Sequence, residues 1–165
     1  MGTVPRTAVA GLPLPSPGQP WQVENLLQLQ KAAKKITSIL DLEKLIDSIV
    51  NDVVGSFGCI EASIFLRHES RDEMIAASCQ GCTLHGKGHS LKIGQEGIVG
   101  RVAFTGRMHY APDVSRDPYY LACGEDAQSA VAIPLKVDDR VIGVFNATHP
   151  DVNGLTREHL QLLQV

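Results

Sequence analysis

The stretch "LKIGQEGIVGRVAFTGRMHYAPDVSRDPYY", Leu91 to Tyr120, decides between two folds. Four glycines, Gly94, Gly97, Gly100 and Gly106, invite a reading as a phosphate cradle. A dinucleotide fingerprint needs G-x-G-x-x-G between a buried strand and a helix, inside a βαβ unit, with an acidic residue about 20 positions on. Here the spacing is G-x-x-G-x-x-G and the preceding "LKI" is too short for a buried parallel strand. No G-x-x-x-x-G-K-[ST] is present either. The glycines therefore predict a tight turn at Gly94 and Gly97, a short helix over "GIVGRVAFTG", a close-packing position at Gly100 and a stop at Gly106. "YAPDVSRDPYY", with two prolines, reads as an irregular lid or pocket wall.

Working outward, the flanking segments have period two. Ile60, Ala62, Ile64 and Leu66 share one face, while Glu61, Ser63 and Arg67 share the other. "HESRDE" turns the chain and "MIAASC" returns, which makes an antiparallel hairpin. Val131 to Val137 and Val141 to Ala147 make a second hairpin about Asp138-Asp139. Pro134 has no N–H for a ladder, so its strand needs an edge or a bulge there. Upstream, Leu26, Leu29, Ala33, Ile36 and Leu40 alternate at spacings of three and four. That is one apolar helix seam, suited to covering the domain's own sheet or to pairing with another helix. Asp41 reads as the N-cap of a second, core helix with Leu42, Leu45, Ile46, Ile49, Val50, Val53 and Val54 on its apolar side. Thr156 caps a closing helix, with Leu155 and Leu160 as a hydrophobic staple. That helix reaches the chain end in mid-pattern, which predicts a piece of a longer protein. Hairpins bounded by helices indicate an α+β domain, an antiparallel sheet with helices on a face.

Composition narrows the function. The 165 residues are 44% apolar and 20% charged, with net charge −3. Such a chain builds a core but offers no basic face for nucleic acid, since "KAAKK" is its densest basic run. No apolar run reaches the roughly 18 to 20 residues of a membrane span. Residues 1–20 hold five of the nine prolines and read as a disordered tail or linker ahead of a domain over 21–165. They lack the apolar core of a signal peptide, so the expected compartment is the cytoplasm and the four cysteines are expected as free thiols.

In order along residues 25 to 165, "ITSILDLEKLIDSIVNDVVGSFGCIEASIFL", "GHSLKIGQEGIVGRVAFTGR", "APDVSRDPYY" and "SAVAIPLKVDDRVIGVFNATHPDVNGLTREHLQLL" resemble the GAF domains, small regulatory modules of signalling proteins. The resemblance implies a GAF/PAS-like six-stranded antiparallel sheet. Terminal helices pack on one face, and the other looks into a small-molecule pocket roofed by the irregular segment. It implies a non-catalytic sensor that binds an unidentified small molecule or senses redox state. Such a sensor forms a homodimer through its terminal helices and passes the signal to an output domain outside this chain, as in two-component systems. Asp113 resembles the family's recurrent aspartate, whose expected role is to fix the roof loop. The residues expected around a ligand are Cys79, Ile98, Asp113, Tyr119, Tyr120, Cys123 and Ser129.

No cofactor is specified. Cyclic-nucleotide-binding relatives carry Asn-Lys where this chain has Asn146-Ala147. Bilin-binding relatives carry Cys-His where it has Cys123-Gly124. An enzymatic branch reduces free methionine sulfoxide through pocket cysteines and carries Ser-Glu where Ser129-Ala130 stands here, which argues against catalysis. Two alternatives stay beside the sensor: a structural dimerisation module, and that reductase, in which Cys123 is the thiol. Cys59, Cys79, Cys82 and Cys123, with His85 and His89 nearby, are candidate ligands of a zinc or iron–sulfur site, because Cys79-x-x-Cys82 has metal-ligand spacing and Cys59 is expected opposite Cys82. The bland alternative is that they are small apolar side chains and a loop thiol. A reversible disulfide between nearby thiols is a further variant.

Overall fold

The computed structural model describes residues 23–124 and 126–163, with side chains from residue 26. The expected tail at 1–20 lies outside them. The first helix, α1 (Val23–Phe57), runs unbroken for 35 residues. The expected break at Asp41 does not occur. Neither proline nor glycine lies between residues 23 and 54, so Asp41 sits on the exposed side of a continuing helix, where an aspartate costs only tenths of a kcal/mol, roughly, in propensity. Residues 1–39 and 40–165 separate into two units.

In the larger unit, strands β1 (Glu61–Arg67) and β2 (Glu73–Gln80) form the first hairpin. The short β3 (Ser90–Lys92), helix α2 (Gly97–Thr105) and β4 (His109–Ala111) follow. A single 3-10 turn, Val114–Arg116, leads on to β5 (Ser129–Val137) and β6 (Arg140–His149), the second hairpin, before helix α3 (Arg157–Leu162). The six strands make one sheet in the order β3-β2-β1-β6-β5-β4, with every pair antiparallel. β4 pairs with β5 only up to Ala132, which leaves Pro134 beside an open edge, and the β5–β6 register shifts just after it, between Leu135 and Lys136. Both features meet the needs of a residue with no N–H to donate.

The sheet is buried on both faces. On one, Ala62, Ile64, Val131, Ile133 and Phe145 pack with Ile46, Val50 and Val53 of α1 and with Leu155. On the other, Phe65, Met74, Val144, Ala130 and Ala132 pack with Ile98, Val99 and Val102 of α2. Met74, Val50, Val102, Val131 and Val144 are almost wholly removed from water, each contributing about 1.5–3 kcal/mol of burial. The α1 core is narrower than the sequence suggests. Leu42, Leu45 and Ile49 are exposed, while Ile46, Val50 and Val53 are buried against the sheet with Val54 and Phe57 partly buried beside them. Leu26, Leu29, Ile36 and Leu40 are also at least half exposed.

Local sequence fixes α2 against the second face. Gly100 accepts the Gly94 N–H at 2.8 Å through its carbonyl, and any Cβ on it would run into the Lys92 carbonyl oxygen. This position needs glycine for close approach. Gly106 closes the helix in the left-handed conformation (φ 64°), its N–H bonded to the Val102 carbonyl, as αL C-caps do.

Candidate functional site

Between α2, the sheet and the segment after β4 lies a cleft of about 530 Å³, measured out to its open mouth. The interior reached by the centre of a water-sized sphere is about 50 Å³, room for roughly four waters. A tetrapyrrole does not fit.

Each wall follows from a local feature. β1 and β6 present Glu61, Asn146 and Thr148, and β2 presents Cys79 at its end. Gly81 (φ 86°) then turns the chain into the loop that carries Cys82, His85 and His89. α2 supplies Ile98, and the roof supplies Tyr120, Leu121 and Cys123. Cys82 and Cys123 form a disulfide, with Cα atoms 5.7 Å apart across 41 residues of sequence. It joins the β2 turn to the roof and so closes the site.

The electrostatics around this bridge are unusual for a sheet surface. Glu61 is only 7% exposed. Burial pushes its carboxyl up to about 7, with the Thr148 and Ser63 hydroxyls offsetting part of the effect. A carboxyl oxygen of Glu61, Cys79 Sγ and Cys82 Sγ lie within 4.8 Å of one another. Burial and then the Glu61 charge push the Cys79 thiol up. Cys82 Sγ accepts the backbone N–H of His85 at 3.2 Å, a contact that favours sulfur carrying negative charge. The rings of His85 and His89 stack with centroids 4.0 Å apart, and burial and then His85 hold the His89 imidazole below its ordinary value.

Of the residues expected around a ligand, Cys79, Ile98, Tyr120 and Cys123 line this cleft. Asp113 does not. It caps the 3-10 turn, accepting the Ser115 N–H at 3.0 Å and the Ser115 hydroxyl at 2.6 Å, and pairs with Arg116. Tyr119 sits outside, 43% exposed, with the Arg101 guanidinium 3.9 Å above its ring. Ser129 is fully buried and pins the loop after β6, donating to the Asp151 carbonyl at 2.8 Å and accepting from the Gly154 N–H at 3.3 Å. The expected cysteine quartet also comes apart. Cys59 packs in the α1-side core, where burial raises its thiol to about 11, so it is not opposite Cys82. The free-thiol expectation holds for Cys59 and Cys79 and fails for Cys82 and Cys123.

Glu61, Asn146 and Thr148 were missed as site residues. Alternation placed Glu61 on an outward polar face, whereas the roof covers that face. Its position between apolar neighbours at the start of a strand carried no separate signal. Asn146 is buried and donates to Ser63 Oγ at 3.4 Å.

Comparison with known proteins places this geometry. Protein YtsP of Bacillus subtilis (strain 168) is 30% identical over 57 residues, 34% of this chain and 35% of YtsP, so the match spans about a third of that relative. The GAF domain of an Acinetobacter phosphoenolpyruvate-protein phosphotransferase is similar in structure, with TM-score 0.68 and 23% identity over 87% of each chain. The free methionine-R-sulfoxide reductase of Neisseria meningitidis, solved with its substrate, gives TM-score 0.64 and 23% identity, covering 73% of this chain and 69% of its own. These likenesses establish the fold. They also overturn the expectation that the chain is not an enzyme, since reductases share this architecture. No helix among the described residues is long and apolar enough to cross a membrane. The GAF domain family model matches residues 39–165; with the six-stranded sheet and its roofed pocket in agreement, the chain belongs to the GAF domain family.

Proposed function

We propose that this GAF domain is a thiol-dependent reductase of a small sulfoxide the size of free methionine sulfoxide. The observation that carries it is the Cys82–Cys123 disulfide closing a pocket beside a buried carboxyl that holds its proton near neutrality. In the reduced state one of the two sulfurs attacks the sulfoxide sulfur as a thiolate. The sulfoxide oxygen departs onto the protein sulfur as a sulfenic acid and the thioether leaves. The second thiol then displaces water and forms the disulfide. One sulfoxide and two thiols thus yield one thioether, one disulfide and one water. A dithiol reductant from a reducing compartment such as the cytoplasm restores the pair.

Glu61 serves as the proton donor to the sulfoxide oxygen, because a carboxyl near 7 is both available and acidic enough at neutral pH. It stands in for the acid that relatives carry beside Ser129. The test is to mix pre-reduced protein with each sulfur epimer of free methionine sulfoxide and a dithiol reductant, and to quantify methionine by chromatography. Turnover of one epimer is expected. No methionine from either, beyond the reductant's own background, refutes the reading.

A regulatory role is the second reading, and the exposed seam of α1 favours it. Leu26, Leu29, Ala33, Ile36 and Leu40 repeat as coiled-coil a and d positions, which are satisfied by a second copy of the same helix. The occupant proposed is therefore another copy of this chain. Leu29→Glu with Ile36→Glu is expected to turn a dimer into a monomer in analytical ultracentrifugation. A double variant that stays dimeric sinks this arrangement.

A further inference from the structure

The mouth of the pocket holds more metal-ligating side chains than sulfoxide chemistry needs. Cys79-x-x-Cys82-x-x-His85 places three soft or borderline donors within seven residues on one turn, and the roof brings Cys123 against them from 41 residues away in sequence. Cys82 Sγ, Cys123 Sγ and a ring nitrogen of His85 lie within 4.8 Å of one another, and Cys79 Sγ lies within 4.8 Å of Cys82 Sγ. In a tetrahedral zinc site, with bonds of about 2.3 Å to sulfur and 2.0–2.1 Å to nitrogen, donor atoms sit roughly 3.5–3.8 Å apart. Cys82, His85 and Cys123 approach that spacing already, and Cys79 joins them from beside Cys82 by side-chain rotation once the disulfide is open.

We propose that the reduced protein binds one Zn²⁺ through Cys79, Cys82, His85 and Cys123. The class of ion follows from the donors. Three sulfurs and an imidazole suit zinc and repel magnesium and calcium, which take oxygen. The backbone N–H of His85 already points at Cys82 Sγ at 3.2 Å, the kind of outer contact that holds a metal-bound thiolate in place. Cys59, buried on the opposite face of the sheet, takes no part.

Zinc and the disulfide exclude each other, because they use the same two sulfurs. Oxidation of the loaded site by hydrogen peroxide, with three protons, yields the Cys82–Cys123 disulfide, the protonated Cys79 thiol, free Zn²⁺ and two waters. Zinc thus guards the thiols, and loss of zinc marks oxidation. The inference rests on donor geometry alone and stands whether or not the pocket reduces a sulfoxide.

The test uses the whole chain, reduced and freed of metal with a chelator, then titrated with ZnCl₂ against a chromophoric chelator and weighed by native mass spectrometry. One zinc per chain is expected. Cys82→Ser and His85→Ala are each expected to weaken binding by at least tenfold, whereas Cys59→Ser leaves it unchanged. Protein oxidised with diamide is expected to take up none, a comparison that needs no variant and so no assumption about folding. Titration with Co²⁺ is expected to give a thiolate charge-transfer band that Cys123→Ser weakens. Absence of zinc from reduced protein, equal uptake by the oxidised form, or indifference to both Cys82→Ser and His85→Ala overturns the proposal. If zinc fails to bind while methionine is still produced, only this inference falls.

Discussion

Cys82→Ser and Cys123→Ser each stop repeated turnover of methionine sulfoxide, with the steady-state rate down by more than roughly 10³-fold, as expected when a nucleophile or its obligate partner is removed. The two variants differ in the first turnover. Loss of the attacking thiol gives no methionine. Loss of the resolving thiol gives one methionine per chain and leaves a sulfenic acid that a dimedone adduct reveals by mass. Geometry favours Cys82 as the sulfur better able to carry charge, since it receives the His85 N–H. Cys123, on the roof, is free to close over it once the loop moves. Cys59→Ser keeps full activity, because that thiol lies on the α1 side of the sheet and burial raises it to about 11. Cys79→Ser separates two ideas. Its thiol is pushed up by burial and by Glu61, which makes it a poor nucleophile, so the reductase keeps working without it while zinc binding weakens. Should Cys79→Ser stop turnover and Cys123→Ser not, the disulfide pair assigned here is the wrong one.

Much of the fold was readable because strands leave a period-two trace. Ala62 and Ile64, or Val131 and Ile133, alternate strictly and fall on one face as alternation requires. Thr156 as the cap of α3, accepting the His159 N–H, and Gly106 as the end of α2 were local decisions, and short-range chemistry settles such decisions. What alternation does not encode is what lies over each face. Glu61 and Ser63 look solvent-facing in sequence, yet both are buried, Glu61 in the wall of the roofed cleft and Ser63 beside Asn146. Asp41 carries the chemistry of an N-cap, and only the uninterrupted helix on either side of it overrules that chemistry. The site was half legible for a related reason. Cys79 and Cys82 announce themselves by spacing, but their pairing with Cys123 depends on where an irregular, proline-rich segment lands. Ser129 and Asp113, both counted near the ligand and Asp113 also expected to fix the roof loop, are polar residues that spend their hydrogen bonds on holding loops.

Glu61→Gln separates stability from catalysis in one variant. The folded protein holds this carboxyl at about 7, against an ordinary value of 4.5, so the native state binds the proton more tightly than the unfolded chain. The associated stability is therefore fully present below pH 4.5, declines as pH rises, and is gone above about 7. At 1.36 kcal/mol for each pH unit between those two values the whole effect is about 3 kcal/mol. Glutamine is uncharged at every pH, so the variant should lose that decline and exceed the parent protein in stability at pH 8, measured by urea unfolding at pH 5 and pH 8. His89 acts in the opposite sense, its imidazole being held low by burial, and it cancels when variant and parent are compared. The same substitution removes the proton donor, so kcat/KM for the sulfoxide should fall about 10²-fold. Its decline as pH rises through about 7 should vanish with it. A variant that is more stable at high pH yet keeps full activity would leave Glu61 as a buried carboxyl without a catalytic task. Unchanged stability at both pH values would mean that water reaches the carboxyl in the folded protein. In that case the closed pocket, on which the proton donor depends, would not exist.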